Sequence, residues 1–526
     1  MTPRWMAMLF GVLLASAASA APGDKTDVVR DLAGRVGPIL GSALACPDIA
    51  RPRVQVIADK FAAVIKEASS NEAERDDLTR LLDRNVADGR GAVTSGRIDC
   101  RVADRQLADL EQSIAGPTLS GVIAPSSAAA ATVPAAPVAP VAPVATPAPT
   151  FSPVRGVTDR EIRLGIAAPF SGSAKELGRQ MKLGIDTAFN RVNDTGGVNG
   201  RSLRLIAADD GYEPSRTAEA MRQLYEKDQV FGFIGNVGTP TAVVGVPYAL
   251  ERRMLFFGAF TGANILRNDP PDRYVFNYRA SYAEETDAVV RYLIKLRRLK
   301  PAQIAVFAQQ DSYGDAGFAG VAKAFRSLGV SDSAILRLNY KRNTVDVDDA
   351  VNQLKAQKPP GIKAVVMVAT YRAAAKFIEK TRDLYPGMIY SNVSFVGSTA
   401  LSDELMLLGT RYASGVIVTQ VGPAVAGYSS VVLEYKTALA KYFPGETPDY
   451  VSLEGYVAAN VLIQALKRAG PQFDTEKLID NLESMRNIDL GLGTTLNFGR
   501  AEHQASHKIW GTAIDDNGKY QAIELE

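Results

Sequence analysis

From about residue 158 to its end the chain changes repeatedly between short apolar runs and longer amphipathic stretches. This alternation constrains the fold more than any other feature. Ile162 to Ala168 reads as a strand and Lys175 to Asn193 as a helix; Leu203 to Ala208 and Ser215 to Lys227 repeat the pair. Val230 to Ile234 is a buried-type strand followed by a helix beginning near Pro240, and Met254 to Phe257 is the next strand. The order restarts with Gln303 to Ala308, a helix from Asp315 to Leu328, then Ala364 to Val368 and a helix from Ala373. Such α/β alternation predicts parallel sheets covered by helices on both faces. Roughly 370 residues of it exceed what one hydrophobic core holds, so two doubly wound lobes are expected.

Three shorter regions precede this one. Arg4, the apolar run Met6 to Ala15 and the small residues Ala18-Ser19-Ala20 read as a signal peptide cleaved near Ala20, which predicts export to the periplasm. The apolar run falls well short of the roughly 20 residues that a spanning helix needs. Residues 21–115 read as a small α-helical domain. Asp27 to Leu32 and Val54 to Phe61 repeat apolar positions at helical spacing, Leu78, Leu81 and Leu82 continue the pattern, and Leu107 with Leu110 repeats it. Cys46 and Cys100 are the only two cysteines. In an oxidising compartment they are expected to form a disulfide, stabilising this domain by roughly 4 kcal/mol through loop closure. Residues 116–157 are rich in alanine and proline and form a spacer, which at about 3.1 Å per residue reaches on the order of 100 Å.

Several functions find no support in the residues. Net charge is +2 and no basic arm stands out, so nucleic acid is not an expected partner. The only histidines, His503 and His507, lie in a strand-like stretch, where a spacing of four leaves them about 13 Å apart, too far to share a metal. No phosphate loop, nucleophile elbow or reactive free cysteine occurs, so neither an enzyme nor a cofactor is expected.

The region from Ile162 onward carries a set of motifs in fixed order. A helix ends in Asn193-Asp194-Thr195-Gly196-Gly197-Val198-Asn199-Gly200-Arg201 and is followed by a strand and Asp209-Asp210. Pro169-Phe170-Ser171-Gly172, Phe233-Ile234-Gly235 and Asp311-Ser312-Tyr313-Gly314 support it. In these the chain resembles the type I periplasmic binding proteins of branched-chain amino-acid (Leu/Ile/Val) ABC transporters. The resemblance implies two lobes joined by three hinge crossovers, lobe one over 158–281 and 423–489 and lobe two over 282–422 and 490–526. It also implies a small-molecule ligand trapped on closure and an inner-membrane ABC permease as partner.

Candidate ligand-binding residues follow from local chemistry and from that correspondence. Thr239 reads as an N-cap with Pro240 at the first helical position, so a helix start meets a strand end and can seat an anion. Its hydroxyl is either a plain cap or a ligand group. Phe260, Thr261 and Gly262 follow the next strand; Phe260 is either an apolar wall or a packed loop aromatic. By position Leu177 stands where amino-acid binders often carry an aromatic lid, and Thr399 where they carry the acid that pairs with the ligand ammonium. A family tyrosine falls at Thr370 or Tyr371. Tyr282 and Arg279 lie near the first crossover, Arg279 as a ligand partner or a hinge ion pair, and Tyr313 opens a helix in lobe two. Burying an α-ammonium without a carboxylate is costly, so an ordinary branched-chain amino acid is not the expected ligand. The expectation is a small polar solute, amino acid-like, an organic acid or an amide, that bears a carboxylate or is neutral, aromatic molecules included. The alternative is a periplasmic sensing or cell-envelope regulatory protein, with the helical domain binding an envelope partner.

Overall fold

In the computed structural model the described residues are 22–69, 71–96, 98–115, 154–358 and 361–525. The expected signal peptide and most of the expected linker lie outside them.

Two units are present. The N-terminal one consists of α1 (Pro22–Ala45), α2 (Arg51–Ala68), α3 (Glu72–Thr94) and α4 (Cys100–Ala115). Val29, Leu40, Ile57, Leu78 and Leu107 build its core. Cys46, just after α1, is joined by a disulfide to Cys100 at the start of α4, with Cα atoms 5.5 Å apart.

In the second unit β1 (Glu161–Ala168), β2 (Ser202–Asp209), β3 (Gly232–Ile234), β4 (Leu255–Phe257) and β5 (Val275–Phe276) form one parallel sheet in the order β2-β1-β3-β4-β5. The last five residues of β1 are all buried, because helices cover both faces. Between these strands run α5 (Lys175–Asp194), α6 (Pro214–Arg222) and α7 (Thr239–Glu251). The glycine motif after α5 is a tight turn with Asn199 at φ 51° and Gly200 at φ 81°, and it returns the chain into β2.

The second sheet has the order β12-β11-β10-β9-β8-β6-β7. It contains β6 (Ile304–Gln309), β7 (Leu336–Tyr340), β8 (Ala364–Val368), β9 (Ile389–Asn392) and β10 (Ile417–Gln420), all parallel, and the antiparallel β11 (Trp510–Ile514) and β12 (Tyr520–Ile523). Its helices are α8 (Tyr282–Arg291), α9 (Ser312–Ser327), α10 (Asp348–Lys355), α11 (Tyr371–Arg382), α12 (Ser398–Leu408) and α13 (Thr410–Ala413). After β10 the chain returns through α14 (Ser430–Tyr442) and α15 (Tyr450–Ala469), which pack on α5 of the first lobe, and then α16 (Thr475–Ser484).

Two expected boundaries move. The third crossover comes after Ser506 rather than at 489/490. Phe498 packs on Phe257 and Phe276, the ring of His503 stacks on Phe276 at 3.8 Å, and Ala505 N donates to Asn277 O (2.8 Å), so this stretch belongs to the first sheet. Residues 154–157 are not spacer: Arg163 N donates to Gly156 O (2.8 Å) and Arg155 lies over the ring of Tyr225. The three crossovers run close together, with Ser506 N donating to Tyr278 O (3.0 Å) and Tyr278 Oη donating to Val421 O (2.8 Å).

Candidate functional site

The segment from Gly235 to Pro240 joins the end of β3 to α7. Gly238, at φ 107°, caps the helix, its carbonyl accepting from Ala242 N (3.1 Å). Thr239 is therefore the first helical residue and Pro240 the second, one position later than the sequence suggests. A side chain cannot replace the glycine, since a Cβ there would run into the ring of Tyr212. Freed from capping, the Thr239 hydroxyl pairs with that of Thr261 at 2.7 Å, and both residues are buried.

Phe260, Thr261 and Gly262 reach this point from β4. Gly238 N donates to Phe260 O (3.2 Å), which places the two segments side by side. Gly262 admits Tyr282 of lobe two: its carbonyl accepts from Tyr282 N (2.8 Å), and a Cβ on Gly262 would come within 2.7 Å of the tyrosine. Ser281 caps α8 in a reciprocal arrangement with Glu284 and so fixes Tyr282 as its first residue. The Tyr282 hydroxyl is buried, faces Thr261, and makes no well-formed hydrogen bond. The ring of Tyr313, at the start of α9, lies 5.4 Å from that of Tyr282.

Leu177, Tyr371 and Thr399 form a neighbouring group. A Cβ on Gly397 would approach Leu177 Cδ2 to 2.6 Å and Tyr371 Cδ1 to 3.5 Å, so Leu177 packs across the lobes on this turn. Thr370 caps α11 and its N donates to Tyr340 Oη (3.0 Å), which leaves Tyr371 as the residue turned toward Leu177. The Tyr371 hydroxyl is buried without a hydrogen-bond partner. Thr399 bonds to Asp449, whose Oδ1 also accepts from Val451 N (2.6 Å) and Ser452 N (3.2 Å) at the start of α15. Burial pushes the Asp449 carboxyl up.

Two residues without a mark in the sequence complete the site. Phe395, in the short turn after β9, stacks on Phe260 with ring centres 5.0 Å apart and lies 4.7 Å from Tyr313. Tyr212, after β2, packs on Gly238, lies 6.1 Å from Phe395, and accepts from Gln309 Nε2 (3.1 Å) across the lobes. Their positions, just before Gly397 and just after Asp210-Gly211, adjoin matched motifs, which is the signal available from sequence. The Phe395–Gly397 turn links the two groups of candidate residues.

Arg279 is fully buried and is an internal ion-pair partner rather than a free ligand group. Its Nη2 donates to Glu285 Oε1 (2.7 Å) and to Ser394 Oγ, and its Nη1 lies 3.6 Å from Glu454 Oε1. Burial raises Glu454 to about 7; Arg279 pulls it down and Glu285 pushes it up. Phe260, Tyr278, Ser394, Gln420, Tyr450 and Glu454 line a small cavity beside these charges. At the opposite rim Arg342 bridges Glu213 of lobe one and Asp311 of lobe two, each at 2.9 Å. His503 is held by its stack on Phe276 and by the Val275 carbonyl (2.9 Å), and His507 Nδ1 lies 2.6 Å from Glu284.

Two doubly wound lobes, adjacent crossovers and residues of both lobes converging on a helix start define a hinged solute-binding protein. The model of the periplasmic binding protein family matches residues 161–519, and the chain belongs to that family. It is 25% identical over 340 residues to a Leu/Ile/Val-binding protein homolog of Brucella melitensis, covering 64% of this chain and 86% of that protein. An amino acid binding protein of Pseudomonas aeruginosa is 23% identical, with 62% and 83% covered. Among solved structures, a possible leucine/isoleucine/valine-binding protein from Rhodopirellula baltica is 38% identical with a TM-score of 0.66, covering 71% of this chain and 98% of that one. A Thermus thermophilus branched-chain amino acid ABC transporter protein with bound valine shares the fold (17% identity, TM-score 0.59, 70% and 96% covered). These relatives are named as binding or transport proteins rather than enzymes. No described helix is long and apolar enough to cross a membrane.

Proposed function

We propose that the chain is exported, cleaved near Ala20, and captures a small polar solute in the periplasm for delivery to the permease of an ABC importer. The observation that carries this reading is the Thr239–Thr261 hydroxyl pair at the start of α7. The chain neighbours of Thr261, Phe260 and Gly262, meet Phe395 and Tyr282 of the other lobe, so the pair lies next to contacts between the lobes. A helix start gathers N–H groups and partial positive charge, and the hydroxyls add donors, so the ligand presents an anionic or strongly polar oxygen there. The test is a thermal-shift panel of amino acids, organic acids and amides on the purified protein, with small-angle scattering to follow closure. A stabilising ligand that compacts the protein supports capture; no shift and no compaction across the panel refutes it.

A second reading, envelope sensing or regulation, is favoured by the separate disulfide-linked helical unit. Removing residues 21–150 distinguishes them: uptake retained with loss of an envelope partner supports the second.

A further inference from the structure

The rings around Phe395 carry the binding reading one step further, to the class of ligand, and this step rests on that reading. Phe395 sits among Phe260 (5.0 Å, 26° between planes), Tyr313 (4.7 Å), Tyr212 (6.1 Å) and Tyr282 (6.4 Å). Three of these rings, Phe260, Tyr212 and Tyr282, also flank the helix start: Phe260 immediately precedes Thr261, Tyr212 packs on Gly238, and Tyr282 packs on Gly262. The seat is therefore shaped for a flat ring, and one tyrosine away lies the buried hydroxyl pair of Thr239 and Thr261. The Tyr282 hydroxyl, buried and facing Thr261, lies on the same side.

The carboxylates nearby are all engaged by the protein. Asp449 is held by Thr399 and the start of α15, Glu285 by Arg279 and Ser394, and Glu454 by Arg279. An ammonium group would have to compete with Arg279 and with the start of α15 for these carboxylates, whereas a carboxylate would meet the hydroxyls and N–H groups at the start of α7.

We infer that the ligand is an aromatic monocarboxylate whose ring takes the place of the Phe395 ring against Phe260, with its carboxylate at Thr239 and Thr261. Phe395 is then a built-in competitor: binding requires its turn to yield, and the left-handed Gly397 (φ 83°) two residues on ends that turn. Phe260, one ring of the pair, and Ser394, the chain neighbour of the other, line the small cavity described above.

The test is calorimetric titration of the full-length protein with benzoate, 4-hydroxybenzoate, cyclohexanecarboxylate and leucine, repeated on Phe395→Ala and Thr239→Val. The expected result is saturable binding of the two aromatic acids by the native protein, at least tenfold weaker binding of cyclohexanecarboxylate, and at least tenfold tighter binding of the aromatic acids by Phe395→Ala. Thr239→Val should bind both aromatic acids at least tenfold more weakly than the native protein; unchanged binding would refute the carboxylate position. Leucine bound in preference to the aromatic acids would overturn this assignment and leave solute capture standing. Aromatic acids bound no better by Phe395→Ala would refute the competitor role and the shared seat. Binding of none of the four, with no scattering change in a wider panel, would remove the capture reading as well.

Discussion

The ring of Phe260, carried by lobe one, stacks on the ring of Phe395, carried by lobe two, with centres 5.0 Å apart. The pair ties together the two lobes beside the proposed ligand site. Phe260→Ala should cost about 3–4 kcal/mol, because both rings are buried and the truncation leaves a cavity in a close-packed interior. Urea denaturation followed by near-ultraviolet dichroism reads this directly. A loss under about 1 kcal/mol would mean that the site relaxes around the gap and that the stack does not hold the lobes.

Arg342 acts at the far rim. It bridges Glu213 and Asp311 across the lobes, while Asn343 Nδ2 donates to Gly211 O (3.1 Å) and to Glu213 Oε1 (2.6 Å). These groups are partly exposed, so each ion pair contributes only about 0.5–1 kcal/mol. Arg342→Ala should therefore leave the unfolding midpoint nearly unchanged but shift the population of closed molecules. Small-angle scattering should show a larger mean radius of gyration than for the native protein, and high salt should narrow the difference. An unaltered radius at low salt would show that the rim latch has no part in closure.

How much of this was legible in the sequence depends on the range of the interaction. The strands β1, β2 and β8 and the helices α5 and α9 follow from local periodicity, because burial on both faces of a parallel sheet writes itself into short apolar runs. The turn at Asn199-Gly200 is equally local. Thr239 was legible as a helix-start residue, but its displacement by Gly238 as the cap depends on Tyr212, whose ring fills the space over the glycine. The third crossover was placed too early because Phe498 and His503 pack on Phe276, more than two hundred residues away, and no local pattern records that partner. Phe395 escaped for the same reason: an isolated phenylalanine in a turn reads as ordinary core until the opposite lobe is in place. Arg279 carried both readings in the sequence, and only the positions of Glu285 and Glu454 decide between them.

Loss of the Cys46–Cys100 bond should act on the N-terminal unit. The bond closes a loop with a sequence separation of 54, for which loop-closure entropy gives roughly 4 kcal/mol. Four helices around one small core have little reserve against such a loss. Hydrogen exchange measured by mass spectrometry on Cys46→Ser/Cys100→Ser should accelerate across residues 22–115, with peptides from 161–523 unaffected. Protection unchanged in α1 and α4 would show that the helical core suffices alone.

The buried charge cluster at the crossovers makes stability depend on pH. Glu454 titrates at about 7 in the fold, above the ordinary glutamate value, because burial penalises its charged form; Arg279 and Arg267 oppose the shift and Glu285 adds to it. The folded protein thus keeps a proton that the unfolded chain has already released. Stability falls as pH rises from about 4.5 to about 7, and stays at the lower level above that. The single-group contribution is on the order of 3 kcal/mol. Burial likewise raises Asp210 to about 6, and the bond to Glu284 raises His507, so both slope in the same direction. Glu454 is therefore read from a difference. Glu454→Gln should be less steep than the native protein between pH 4.5 and 7 and parallel to it above pH 8. Denaturation midpoints at half-unit intervals give both curves; identical slopes through that window would place the ionised carboxylate in Arg279's field at no net cost, and the buried ion pair would then be fully compensated.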